Sequence, residues 1–138
     1  MALTIEQYKA LVEKANKAQK VKPTQHESNL QKQCVKWFKL CYPDLILFSV
    51  PNGGSRNKIE AKRLQEEGVL AGVSDLILLY PNKDYHALCI EMKYGKNGQS
   101  ENQKIFERKV KEFGYKYVVT DSFDKFREII FEYLKKQQ

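Results

Sequence analysis

Asp75 opens the apolar run of residues 76–79, and Glu91 and Lys93 interrupt a second apolar run near its end. Charged groups are costly inside apolar strands, so each such position needs a partner or a task. A strand turns alternate residues to opposite faces, so Glu91 and Lys93 share one face with the small residues Ala87 and Cys89. His86, Leu88, Ile90 and Met92 take the other face. If the two runs pair as a hairpin, Asp75 and Glu91 meet across neighbouring strands. Two carboxylates at close range repel unless a proton or a cation lies between them. Mg²⁺ or Mn²⁺ prefers such oxygen donors, and the backbone carbonyl of Met92 adds another. Lys93 then holds a water or hydroxide near the metal and counters developing negative charge. That is the apparatus of metal-assisted phosphodiester hydrolysis. A bland reading of the same letters is a turn-ending Asp75 and an ordinary Glu91–Lys93 ion pair, and Asp…Glu-x-Lys alone is common. The context narrows the choice: Gly72-Val73-Ser74 precedes the acid, and Glu-x-Lys closes the adjacent strand.

The elements that must position these residues can be read from the same chain. Residues 4–20 place Ile5, Tyr8, Leu11, Val12 and Ala15 on one helical stripe with Lys-rich remaining faces, and Lys22-Pro23 breaks it. A second helix begins at Thr24, where Thr24 and Glu27 have the form of a capping box. Leu30, Cys34, Trp37, Phe38 and Cys41 keep its helical spacing, and both cysteines are expected in the core. Residues 45–50 (LILFSV) read as a buried strand and 57–67 as a helix with Gly68 at its C′ position. Residues 74–80 and 85–94 read as an antiparallel hairpin about the turn Pro81-Asn82-Lys83-Asp84. Ser100 caps a helix to about Phe113, residues 115–120 form a fourth strand, and Ser122 caps a last helix. The order α-α-β-α-β-β-α-β-α is an α/β domain with a central mixed β-sheet flanked by helices.

Length and composition set the outer bounds. The 138 residues fit one domain, and 42% apolar residues with 7 Phe, 8 Tyr and one Trp supply a core. The apolar runs are too short to span a bilayer, and MALTIEQYKALVEK lacks the apolar stretch of a signal peptide. Three cysteines without a CxxC pair argue against a disulfide scaffold and for a reducing compartment. Two distant histidines, His26 and His86, argue against structural zinc. The net charge of +7 suits a polyanion such as nucleic acid, or merely a solvated basic face.

Taken together, Gly72-Val73-Ser74-Asp75-Leu76-Ile77, Ile90-Glu91-Met92-Lys93 and Ser100-Glu101-Asn102-Gln103 resemble the virus-type replication–repair nuclease (VRR-NUC) domain, of the PD-(D/E)XK nuclease superfamily. Asn52-Gly53-Gly54 and Glu27 also match its pattern. The resemblance covers about residues 24 to 120. It implies a restriction-endonuclease-like core, with residues 1–23 as a helical arm and 24–138 as the nuclease domain. Asp75 and Glu91 would bind the metal, Lys93 would be the catalytic lysine, and Gln103 an additional active-site residue. Glu27 would bind or orient a metal through water. Capping boxes with Thr24 and Ser100 offer Glu27 and Gln103 a structural alternative. Stand-alone phage and bacterial members of the family are homodimers that cut four-way (Holliday) junctions. The resemblance therefore implies a Mg²⁺- or Mn²⁺-dependent DNA endonuclease acting on branched DNA, in the cytoplasm of a bacterium or a phage-infected cell. A flap or non-specific nuclease and a non-catalytic nucleic-acid-binding module are the alternatives.

For DNA contacts, Asn52, Gly53, Gly54, Ser55 and Arg56 form a loop whose glycines let a phosphate backbone approach, or else a plain strand–helix turn. Arg56, Lys58, Lys62 and Arg63 can make a phosphate-binding face, as can Lys83 and Lys96. For any single lysine, a solvated surface role is the simpler reading.

Overall fold

A computed structural model describes residues 2–18, 25–51, 57–96 and 98–135. Five helices and four strands follow one another in the order read from the sequence. They are α1 (Ile5–Ala18), α2 (Gln25–Cys41), β1 (Leu47–Ser49), α3 (Lys58–Glu66), β2 (Leu76–Leu78), β3 (Leu88–Met92), α4 (Glu101–Glu112), β4 (Lys116–Thr120) and α5 (Phe123–Lys135). The loop Asn52–Arg56 and residue Thr24 lie outside the described residues.

The sheet runs β1-β2-β3-β4. The first three strands form an antiparallel meander, and β4 returns parallel to β3 after the α4 crossover. The β2–β3 hairpin turns on Asn82, which is buried. Its carbonyl oxygen accepts from the backbone N–H groups of Asp84 and Tyr85, and its amide donates to the Tyr133 carbonyl at 3.1 Å. The ladders are shorter than the apolar runs, because the sheet's ends are held by single bonds. Val50 N–H donates to Asp75 O at 3.0 Å, Leu79 N–H to Ile46 O at 2.9 Å, and Lys93 N–H to Thr120 O at 2.9 Å.

Alternation assigns the two faces. Leu76, Leu78, Leu88, Ile90 and Met92 point to one side, where they bury against Cys34 and Phe38 of α2 and Phe126, Ile130, Tyr133 and Leu134 of α5. Each such large apolar side chain contributes roughly 1.5–3 kcal/mol on burial. Trp37 adds edge-to-face contacts with Phe123, Phe126 and Phe131. Cys41 departs from expectation: Cys34 is buried, but Cys41 is exposed. Cys41 is the last residue of α2, and there Tyr42 turns inward against Phe38 at 5.2 Å. Cys89 and Tyr117 occupy the opposite face, which α4 covers through contacts such as that of Phe106 with Tyr117 at 6.2 Å.

The first helix is different in kind. Thr4 and Gln7 cap it reciprocally. It lies against α4, yet Ile5, Tyr8 and Leu11 remain exposed at 74%, 62% and 45%.

Candidate active site

β3 is buried along its whole length, and its one acid, Glu91, is only 2% exposed. The register pairs Leu76 with Ile90, which sets Asp75 and Glu91 opposite each other one step beyond the ladder. The Asp75 carboxylate accepts a hydrogen bond from Met92 N–H at 2.7 Å. In an extended strand the N–H and C=O of one residue point to the same side, so the Met92 carbonyl also looks toward Asp75. The next peptide, at Lys93, turns to β4.

Burial is the main reason that the Glu91 carboxyl is pushed up to about 9. The hydrogen-bonded, negatively charged neighbour Asp75 pushes the same way, and Lys93 only partly offsets it. The pair therefore holds a proton at neutral pH when nothing else stands between the two carboxylates.

Gln103 ties the remaining groups together. Its Oε1 accepts from Lys93 Nζ at 3.0 Å, and its Nε2 donates to Glu91 Oε1 at 3.2 Å. The same Oε1 accepts from Ser100 N–H at 2.9 Å, while Ser100 Oγ accepts from Gln103 N–H at 3.2 Å. Gln103 is thus both the N3 member of a capping box and the bridge between Lys93 and Glu91. The two readings offered by the sequence coexist in one side chain.

A fixed backbone places α4 close enough for that bridge. Gly72 has φ +85°, and a Cβ there would meet the Asn102 backbone carbonyl at 2.4 Å. Only glycine lets the strand leading to Asp75 pass so near the first turn of α4.

Glu27 arrives from α2. Its Oε1 accepts from Tyr94 N–H at 3.3 Å, and the neighbouring His26 ring stacks on Tyr94 at 4.5 Å. Glu27 therefore sits at the exit of β3, one residue past Lys93. Its expected cap partner, Thr24, lies outside the described residues.

Of the expected DNA contacts, Asn52, Gly53, Gly54, Ser55 and Arg56 lie outside the described residues. Lys58 and Lys62 are exposed on α3, which has no buried residue, and Lys96 is exposed in the turn after β3. None of the three hydrogen-bonds to the Asp75–Glu91–Lys93–Gln103 cluster.

Three further residues, Tyr117, Gln99 and Glu107, form a chain that no local sequence pattern marks. Tyr117 OH lies 3.5 Å from Glu91 Oε2, and Gln99 Nε2 donates to Tyr117 OH at 3.2 Å and to Glu107 Oε1 at 2.8 Å. This chain backs Glu91 on the side away from Asp75. Its only signal lies in β4, and it needs the parallel register that pairs Cys89 with Tyr117.

The donor set suits a hard cation. Among the described residues no group of three or more His, Cys, Asp or Glu forms a closed metal cage. Two carboxylates with one backbone carbonyl match the Mg²⁺ pattern, in which the ion keeps several waters. The proton shared by Asp75 and Glu91 marks the place where a cation would relieve their repulsion.

Comparison with known proteins bears on the fold as a whole. The family model for the VRR-NUC domain matches residues 4–124, so the match includes α1, which the motif residues do not reach. A solved structure of a VRR_NUC domain protein superposes with a TM-score of 0.69 at 26% identity, over 86% of this chain and 94% of that one. No curated protein matches.

Proposed function

The chain belongs to the VRR-NUC domain family, nucleases of the PD-(D/E)XK type that act on DNA, and from that premise we propose that it is a metal-dependent DNA endonuclease working through Asp75, Glu91, Lys93 and Gln103. The observation that carries the proposal is the pairing of half-buried Asp75 with buried Glu91, with Lys93 held beside them by the Gln103 amide.

Asp75, Glu91 and the Met92 carbonyl would hold Mg²⁺ or Mn²⁺. The ion, when bound, would act as a Lewis acid on the phosphodiester and lower the pKa of a nearby water. Each protein group has its own task. Gln103 Oε1 fixes the Lys93 ammonium, a cation positioned to orient the attacking water and to stabilise charge on the phosphoryl oxygens. Gln103 Nε2 and Tyr117 OH orient Glu91 from behind. Met92 N–H holds the second oxygen pair, that of Asp75. Glu27, which accepts from Tyr94 N–H, would orient a water at the edge of the site. Water attacks phosphorus, the P–O3′ bond breaks, and the products carry a 3′-hydroxyl and a 5′-phosphate.

We take the four-way junction as the substrate and a homodimer as the working form. Support for both is the family resemblance alone, through those of its members that cut four-way junctions as homodimers. The test is a cleavage assay on labelled four-way junction, flap and linear duplex, with wild type and Lys93→Ala, in Mg²⁺ and in EDTA. Paired symmetric nicks in the junction, dependent on both Mg²⁺ and Lys93, are the expected result. Equal cutting of all three substrates would leave the nuclease and remove the junction preference. Binding without any Mg²⁺-dependent product would overturn the enzymatic reading in favour of a binding module.

A further inference from the structure

A groove of about 940 Å³ runs between α2 and the edge strand β1, and Asp75 is part of its lining. One wall is a single stripe of α2, where Lys32, Lys36 and Lys39 follow one another at helical spacing. The other wall is the segment from Leu47 to Pro51. We infer that this groove is the track of one DNA strand leading to the scissile phosphate, with Lys32, Lys36 and Lys39 as its phosphate contacts. The inference rests on the nuclease reading and extends it to the path of the substrate.

Position separates these lysines from other exposed lysines without an ion pair among the described residues, such as Lys58, Lys62 and Lys109, because these three line the groove that reaches Asp75. Arg63, Lys104, Lys111, Lys125 and Arg127 are each neutralised by an acid three or four residues away on the same face. Lys32, Lys36 and Lys39 are exposed and form no ion pair among the described residues. The only acid of α2 is Glu27, in its first turn beside the cluster. A positive wall is thus left open along a groove whose lining reaches Asp75.

Spacing fits the same occupant. At 1.5 Å per residue the stripe from Lys32 to Lys39 extends about 10 Å. One strand of B-DNA carries a phosphate about every 3.4 Å along its axis, so three lysines match about three phosphates. The edge strand adds neutral donors. Val50 N–H bonds to Asp75 O and Ile46 O accepts from Leu79 N–H, so the even-numbered residues of this segment face β2. The N–H groups of Leu47 and Ser49 therefore point outward, toward the unpaired side of β1.

The test compares a groove variant, Lys32→Gln with Lys36→Gln and Lys39→Gln, against a charge-matched control, Lys109→Gln with Lys125→Gln and Lys135→Gln. Binding of a labelled four-way junction in EDTA is followed by anisotropy between about 50 and 200 mM salt. Cleavage in Mg²⁺ is measured alongside. The groove variant should lower the slope of log K against log salt by about 2 to 3, and raise KM roughly tenfold or more with kcat unchanged. The control should change the slope by less than about 1. A groove variant that behaves like the control would overturn the inference and leave the nuclease reading intact. Absence of Mg²⁺-dependent cleavage by the wild type, with the groove variant still losing its slope, would remove the nuclease and keep the groove as a DNA track.

Discussion

Under the proposed mechanism Glu91 is the residue on which the chemistry turns, because burial and Asp75 make it poorly able to bear its charge alone. Burial and the Asp75 carboxylate together hold it protonated up to about 9 in the metal-free protein. Its folded-state value lies above its unfolded one, so its contribution to stability is full below the ordinary carboxylate range. That contribution is lost as the pH rises from there through about 9. The melting temperature of metal-free protein should therefore fall as pH is raised from 5 to about 9. Mg²⁺ should restore it more at pH 8.5 than at pH 6, because binding the cation displaces the proton. Calorimetric melts in EDTA and in Mg²⁺ at the two pH values check both signs. Asp75→Asn removes one source of the repulsion. We expect it to flatten the pH dependence, keep or raise the metal-free melting temperature, abolish the Mg²⁺ shift, and cut cleavage by about 10³-fold or more. Unaltered Mg²⁺ stabilisation in Asp75→Asn would place the cation elsewhere.

Elements, rather than residues, decide whether these groups meet, and here α4 matters most. Its capping box and its bridge to Lys93 and Glu91 share the Gln103 side chain, and the two roles can be separated. Ser100→Ala removes the cap acceptor and should cost about 1 kcal/mol of stability with cleavage retained. Gln103→Ala should cost a similar amount and also lower kcat by about 10²-fold, since Lys93 and Glu91 both lose the hydrogen bond to Gln103. Thermal melts and single-turnover cleavage distinguish the pair; equal kcat in both variants would reduce Gln103 to a cap. Gly72→Ala tests the approach of α4 to the strand leading to Asp75. A left-handed φ and a 2.4 Å meeting with the Asn102 backbone should destabilise the fold by about 2 kcal/mol or more, measured by urea unfolding. Much of this was legible beforehand. Asp75, Glu91 and Lys93 stand out because charge inside an apolar strand has physical meaning in sequence alone, whereas Ser-x-x-Gln by itself means a helix cap and only the family resemblance implies an active-site place for Gln103. Tyr117 was not legible, because its role depends on a parallel register that no local pattern encodes. Cys41 departs from the expected burial because helical spacing fixes a face but does not say where the sheet beneath it ends.

At the scale of the whole molecule, one cluster can hydrolyse one phosphodiester, whereas resolving a four-way junction needs two cuts placed symmetrically. A twofold pair of chains supplies two sites in the required relation, which is why the junction reading carries the dimer with it. The two can be tested together. Wild type is unfolded and refolded with an equal amount of Asp75→Asn, so that about half of the dimers hold one competent site. On a junction in a cruciform plasmid, such mixed dimers should make a single nick and leave the circle relaxed but not linear. The wild type alone should linearise the plasmid within the lifetime of one complex. The nicked product should rise with the mutant share and then fall as fully inactive dimers dominate. A monomer that cuts independently predicts another curve, in which nicked and linear products both fall simply with the concentration of active chain. Agreement with that second curve, at protein concentrations above the binding midpoint, would discard the dimer while leaving Asp75, Glu91 and Lys93 in their roles.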